Sequence, residues 1–407
     1  AGLRPAPQFA AEVAAPPYDV LSTDEARARA AGRRNSFLHI SKPEIDLPPG
    51  VDPHDDSVYI KGKENFERMI QEGVLTRDPQ PCFYLYRLEM DTHVQTGLVA
   101  AASVQAYGDG RIRRHELTRP DKEDDRTRQI DTLNAQTGPV FLTYRHRPDI
   151  DRLVAALTAR EPDVDVSADD GVRHALWVIG DEGDRTALGD AFAAVERLYV
   201  ADGHHRSAAA ARVAAARRAA NPAHSGNESY NFFLSVIFPD NQVQILDYNR
   251  VVADLNGLSR TRFLHRLGEV FDIVECDRAV RPTRHAEFGM YLRGQWYRLR
   301  LESRRRPAGD PVANLDVSIL ADRVIAPLLG ITDPRRDRRI DFVGGIRGLD
   351  ELERRVDSGE MAVAFALYPT GLDELMEVAD ADGIMPPKST WFEPKLADGL
   401  VSHVLFD

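Results

Sequence analysis

Cysteine is nearly absent from this sequence: its 407 residues include only Cys82 and Cys276. Two thiols so far apart offer neither a disulfide framework nor the close spacing of a metal motif, and they fit a reducing compartment. No run approaches the roughly 20 consecutive apolar residues that a membrane helix needs. The opening Ala1-Gly2-Leu3-Arg4-Pro5 leads into no apolar signal region. A cytoplasmic protein without membrane contact is the expectation. Positive charge is also in short supply. The formal net charge is −12, whereas a chain that coats DNA or RNA needs a basic footprint whose counterions are released on binding. Small-molecule partners are therefore expected and nucleic acid is not. Repeats and low-complexity runs are missing, and nothing in the sequence sets an oligomeric state.

Two familiar motifs fail on inspection. Arg113-Arg114-His115-Glu116-Leu117-Thr118-Arg119 opens like a zinc-protease helix, but Arg119 stands where the second histidine belongs. Lys388-Ser389-Thr390 is not preceded by the glycines of a P-loop. The stretch 111–128 reads as a solvated charged face.

What is present suits an α+β protein. Hydrophobic residues make up 43% and charged residues 29%, enough for a core and a soluble surface. Residues 36–40 alternate like a short strand, and a helix is expected over 58–72. Segments 82–90 and 96–107 alternate as an antiparallel pair. A strand is expected over 138–144, a helix over 150–159 and an acidic loop over 161–171. Strand, helix, strand, turn and helix follow at 175–179, 185–195, 197–201, 202–206 and 207–220. Hairpins are expected over 230–252 and 288–301. Later come a helix at 315–329, a strand at 340–343, a helix at 349–356, a strand at 361–368 and a helix at 372–379. An irregular tail follows at 384–396. Three lobes are expected, 1–150, 151–255 and 256–407.

The turn Asp202-Gly203-His204-His205-Arg206, running into Ser207, is the strongest candidate site. A strand–turn–helix junction presents free N–H groups at a helix N-terminus, where the macrodipole also favours an anion. Gly203 permits a close approach, and Arg206 adds a planar fork suited to phosphate. His204 and His205 supply donors or a proton acceptor near neutral pH. Asp202 can hold Mg2+ or accept a proton. Adjacent histidines diverge on most backbones, so zinc is not expected within the turn.

Five segments together carry a resemblance: Pro16-Pro17-Tyr18-Asp19-Val20, His115-Glu116, the 202–206 turn, Asp316-Val317-Ser318-Ile319-Leu320, and Met385-Pro386-Pro387-Lys388-Ser389-Thr390-Trp391-Phe392-Glu393-Pro394-Lys395. They look like a widespread prokaryotic family of unknown function, over nearly the whole chain. The turn also resembles the nucleotide-binding box of the ParB/sulfiredoxin superfamily. That superfamily includes DNA-partition proteins that bind CTP, sulfiredoxins, and kinases acting on free L-serine. The resemblance implies a ParB/sulfiredoxin-like phosphate-binding core, placed in 151–255, with additional mixed α/β lobes. It makes Gly203, His204, His205 and Arg206 phosphate-cradle candidates. The turn lacks the cysteine of sulfiredoxins, and the chain lacks the basic face of partition proteins. The free-serine kinase branch remains.

That branch implies phosphoryl transfer from ATP, ADP or pyrophosphate with Mg2+, the cradle being 203–207. Asp19, Glu44, Glu116 and Asp202 are candidates to take the acceptor proton. Lys388, Ser389, Thr390 and Lys395 are candidates to neutralise phosphoryl charge. Tyr18, His115 and Arg126 complete the expected site. Lys388 or Lys395 is expected beside the 203–206 turn, with Asp19, Glu44 or Glu116 in the same cavity. A nucleotide-binding regulatory module without turnover, or a hydrolase of phosphoesters or nucleotides, would use the same turn differently.

Overall fold

Apolar residues at alternate positions carry the strand Phe83–Met90 into a tight reversal and back along His93–Ser103. Asp91 takes a left-handed backbone conformation there, φ 53°, as tight hairpin turns require. This hairpin belongs to an eight-stranded sheet in the computed structural model, which describes residues 1–307 and 309–405. Edge to edge, the sheet runs Ile112–Arg113, Leu198–Asp202, Val140–Tyr144, Phe232–Pro239, His93–Ser103, Phe83–Met90, Arg173–Ile179 and Val164–Ser167. Two pairings are parallel: Ile112–Arg113 with Leu198–Asp202, and Val140–Tyr144 with Phe232–Pro239.

The helix His204–Ala220 packs against the helix Pro120–Leu133. Its alanines explain how: Ala209 and Ala210 are buried with Val213 in one cluster with Leu142, Val200 and Phe233, and small side chains let a helix approach a sheet closely. A second cluster gathers Phe37, Leu38, Ile40, Phe66 and Met69 with Leu3, Val13 and Val404. The C-terminal segment reaches it by pairing Asp398 with Ala15, Ser402 with Leu3, and His403–Val404 with Ala135–Gln136.

Packing divides the chain into two units. One is Ala1–Val243 together with the residues from Pro394 on, and the other is Gln244–Glu393. The division differs from lobes 1–150, 151–255 and 256–407. A cut at 150 would sever the eight-stranded sheet, whose strands come from both sides of it. A cut at 255 would part Tyr248–Val252 from the sheet it belongs to.

The second unit is built on a six-stranded antiparallel sheet. Its order is Asp272–Cys276, Gln295–Arg300, Glu287–Leu292, Val363–Leu367, Tyr248–Val252, Ile340–Gly344. The expected hairpin over 288–301 is present, turning at Arg293 and Gly294, both at positive φ. Helices Asp350–Asp357 and Leu372–Asp380 stand where periodicity puts them. Trp391–Glu393 forms a short strand against Gln244–Leu246.

Several local expectations are corrected. Residues 36–40 lead into a helical turn, Leu38–Ser41. Phe37, Leu38 and Ile40 are all buried, which a turn of helix allows and a half-buried strand does not. The acidic 161–171 segment contains a strand, Val164–Ser167, with Val164 and Val166 buried and the residues between exposed. The strand of 96–107 stops at Ser103, whose side chain caps the short helix Val104–Gly108. The charged 111–128 stretch includes much of the helix Pro120–Leu133. The hairpin over 230–252 does not form, because Phe232–Pro239 and Tyr248–Val252 join different sheets. The helix over 315–329 is an α-helical turn, Asp316–Leu320, followed by π-helical Ala321–Ile325. Among the described residues no helix is long and apolar enough to cross a membrane.

Candidate functional site

The strand Leu198–Asp202 loses register against Val140–Tyr144 between Val200 and Asp202. A bulge of this kind re-aims the residues beside it. Gly203 follows at φ 95°, and the helix begins at His204, not at 207 as expected. His204, His205 and Arg206 therefore form the helix's first turn. A Cβ on Gly203 would lie 3.0 Å from Arg206 Nε, and one on Gly138 would lie 3.3 Å from Arg206 Cδ. Two glycines thus make room for one arginine side chain.

Arg206 is buried, and its guanidinium donates to the Pro139 carbonyl and lies 3.5 Å from Asp202 Oδ2. Burial opposes its charge, but Asp202 and then Asp19 hold it protonated. With Tyr18, Arg126, Gly138 and Asp398 it lines a small cleft with about 30 Å3 of water-accessible space. Arg126 stacks over the Tyr18 ring at 3.9 Å and is held by Asp125 Oδ2 at 2.7 Å. Burial pushes the Tyr18 hydroxyl up to about 12, against the pull of Arg126.

Asp398 is the residue the sequence reading missed. It is 2% exposed, and burial pushes its carboxyl up to about 7, with Arg206 opposing and Asp19 reinforcing the shift. Its Oδ1 is buried without a hydrogen-bond partner. The signal that could have found it is the dipeptide Asp398-Gly399. Gly399 sits at φ 91°, and a Cβ there would meet the Phe37 ring at 2.7 Å.

The remaining expected residues separate into groups. Asp19 is exposed beside Tyr18 and acts electrostatically on Arg206 and Asp398. Glu44 is buried and pinned by Lys42 Nζ at 3.1 Å and Thr23 Oγ1 at 3.2 Å, and it is not among the residues that line the cleft. Ser207 is fully buried, and its hydroxyl turns back to the His204 carbonyl at 3.0 Å, which leaves it no donor for a cradle. His205 accepts the Arg119 N–H at Nε2, 3.1 Å away. Lys395 is half-buried in the first unit.

Lys388, Ser389 and Thr390 belong to the second unit. There the Lys388 carbonyl accepts from Arg250, and Lys388 Nζ lies 5.6 Å from the Tyr248 ring centroid. Ser389 donates to the Pro386 carbonyl at 2.6 Å and accepts from Thr370 at its own carbonyl. These bonds staple the tail within that unit.

His115, Glu116 and His204 form a further group. The parallel pairing of Ile112 with Leu198 and of Arg113 with Tyr199 delivers 115–116 alongside the start of the helix. The two imidazoles meet edge to face, centroids 4.4 Å apart. Burial lowers His115 to about 4 and, with His115 and His205 close by, holds His204 well below the usual histidine range.

Residues 1–318 match the family described as "Protein of unknown function (DUF1015)". The chain belongs to that family. No curated protein sequence matches it. Among solved structures it is similar to a free serine kinase in complex with AMP, at 12% identity and a TM-score of 0.35, covering 72% of this chain and 86% of that one. It is also similar to C-terminally truncated SbnI from Staphylococcus aureus, at 10% identity and a TM-score of 0.36, covering 73% and 84%. A conserved hypothetical protein from Pyrococcus furiosus is matched at 12% identity and a TM-score of 0.33, covering 74% and 94%.

Proposed function

We propose that this chain is a phosphotransferase that moves a phosphoryl group from a nucleotide or pyrophosphate to the hydroxyl of a small acceptor such as free L-serine. The observation that carries the reading is the convergence of two guanidiniums, buried Arg206 and half-buried Arg126, on one cleft beside a glycine-started helix N-terminus. Asp125 pairs with Arg126 and Asp202 with Arg206, and a guanidinium, with five N–H donors in a planar fork, can still offer some to phosphate oxygens. In this reading the His204 backbone N–H and the Arg206 fork, at the turn that Gly203 opens, cradle the donor, and the His204 imidazole takes no part. Mg2+ enters with the donor phosphates and is held by Asp202, a half-exposed carboxylate, since such an ion commonly uses one protein carboxylate and keeps waters.

Asp398 takes the acceptor proton in this scheme, because its carboxyl titrates near neutrality within the same cleft. Asp19 is its partner at the mouth. The acceptor oxygen forms the new O–P bond as its proton passes to the carboxylate. The bond to the departing diphosphate, monophosphate or phosphate breaks. Lys395 is the nearest tail cation along the chain to Asp398 in the first unit.

Phosphorus NMR on the protein with Mg2+, a panel of ATP, ADP and pyrophosphate, and a panel of hydroxyl amino acids tests the reading. A phosphomonoester resonance that needs both donor and acceptor is the expected result. Phosphate release without acceptor would make the protein a hydrolase, and donor binding without turnover would make it a regulatory module.

A further inference from the structure

We infer that His115, Glu116 and His204 form a binding site for one divalent transition-metal ion of the zinc class. One donor atom from each of the three residues lies within 4.8 Å of the other two. Both histidines are almost fully buried, at 2% and 4% exposure. His115 Nδ1 has no hydrogen-bond partner. An orphaned lone pair in the interior is costly unless another group takes it, and a metal ion is such a group.

The tautomer of His115 fits. The ring bonds the Val200 backbone, and Nδ1 is the orphaned nitrogen, so Nε2–H is the donor to the Val200 carbonyl. That contact leaves the lone pair on Nδ1 and fixes the ring plane, as the outer partner of a metal-bound histidine does. On His204 the nitrogen near Glu116 is Nδ1, 3.8 Å from a carboxylate oxygen; the ion is assigned to that nitrogen, and the orphaned lone pair is that of His115 Nδ1 alone.

The donor set selects the ion. Two imidazoles and one carboxylate suit Zn2+ and its neighbours, whereas Mg2+ takes oxygen ligands. The site is thus distinct in chemistry from a magnesium site at Asp202. Three protein ligands leave a fourth position open. Bond lengths of about 2.0–2.2 Å need donors about 3.4 Å apart in a tetrahedron. The Glu116 side chain is 45% exposed, which leaves the ion a path from solvent. The competing account is a histidine pair packed edge to face with no ion.

Titration of chelator-treated full-length protein with Zn2+ and with Co2+, with no phosphoryl donor or acceptor present, separates the two. One equivalent bound per chain, with the visible absorption of four-coordinate Co2+, is expected. Glu116→Gln should weaken binding at least about tenfold and leave the circular dichroism of the metal-free protein unchanged, while His115→Ala should abolish binding. Should His115→Ala fail to fold, Glu116→Gln decides alone. No stoichiometric binding by the wild type, or unchanged affinity in a folded Glu116→Gln, overturns the site. The phosphotransfer reading is untouched by either result, since it is measured on separate ligands.

Discussion

The guanidinium carbon of Arg126 lies 3.9 Å from the centroid of the Tyr18 ring. The ring comes from the Pro-Pro-Tyr segment near the N-terminus and the cation from the helix Pro120–Leu133, so the contact ties a distant loop to the cleft wall. An aromatic face stabilises a desolvated cation by about 1–2 kcal/mol. Tyr18→Phe keeps that face and Tyr18→Leu removes it. Urea unfolding should show the leucine variant less stable than the phenylalanine variant by about 1 kcal/mol or more. Equal stability would mean the stacking contributes nothing.

Arg206 is a structural residue as well as a candidate ligand. Arg206→Ala costs the fold as well as the cleft, because the side chain is buried and bonded to the Pro139 carbonyl. Its removal strands that acceptor and should cost about 2–3 kcal/mol, the scale of a hydrogen bond to a charged group. Arg206→Lys keeps the charge but loses the fork. Calorimetry should find pyrophosphate binding at least about tenfold weaker in the folded lysine variant. Wild-type affinity there removes Arg206 from the cradle.

Asp398 makes a pH-dependent prediction. Its folded pKa of about 7 stands above the unfolded value of about 3.9, so the fold disfavours the charged form. Stability from this group is greatest below the unfolded value, declines as pH rises toward 7, and is flat above. Asp398→Asn should therefore gain on the wild type as pH rises from 4 to 8, by on the order of 3–4 kcal/mol. Chemical denaturation across that range measures the difference. A gap that does not change with pH would place the Asp398 titration outside it.

The same group governs anion affinity. Protonating Asp398 removes one negative charge from the wall that carries Arg126 and Arg206, so binding of an anion whose own charge is constant should tighten as pH falls through about 7. Sulfate is a suitable probe. In Asp398→Asn the pH dependence should vanish over that window. A slope that persists in the variant belongs to another group.

Gly203 separates backbone strain from crowding. At φ 95° any side chain is strained, and a Cβ would also press on Arg206. Gly32, at φ 75° with nothing nearby, carries the backbone cost alone. Gly32→Ala should cost about 1–2 kcal/mol, and Gly203→Ala more, with weaker anion binding besides. Equal thermal destabilisation would show that the arginine yields freely.

Local pattern carried most of the elements. Alternation along 83–103 and 288–300, the helical period of 56–71, and the glycine after an apolar strand at 203 are properties of neighbouring residues, so they are readable without the fold. Where two local signals compete, the reading fails. The acidic residues of 161–171 hide a strand whose alternate valines are buried. Phe37, Leu38 and Ile40 suit a strand until all three need burying at once.

The candidate site depends on pairings between remote segments, and no window of sequence contains those. His115 meets His204 because a two-residue edge strand lies parallel to Leu198–Asp202. Asp398 reaches the cleft because the chain returns from the second unit and pairs with Ala15. Residue type and spacing could nominate Arg206, and the family resemblance Tyr18, as chemistry. That Arg206 is wedged between two glycines and a carbonyl, and that an unremarked aspartate titrates near neutrality beside it, follows from burial. Burial is set by everything packed around a residue, whereas a sequence motif records only its neighbours along the chain.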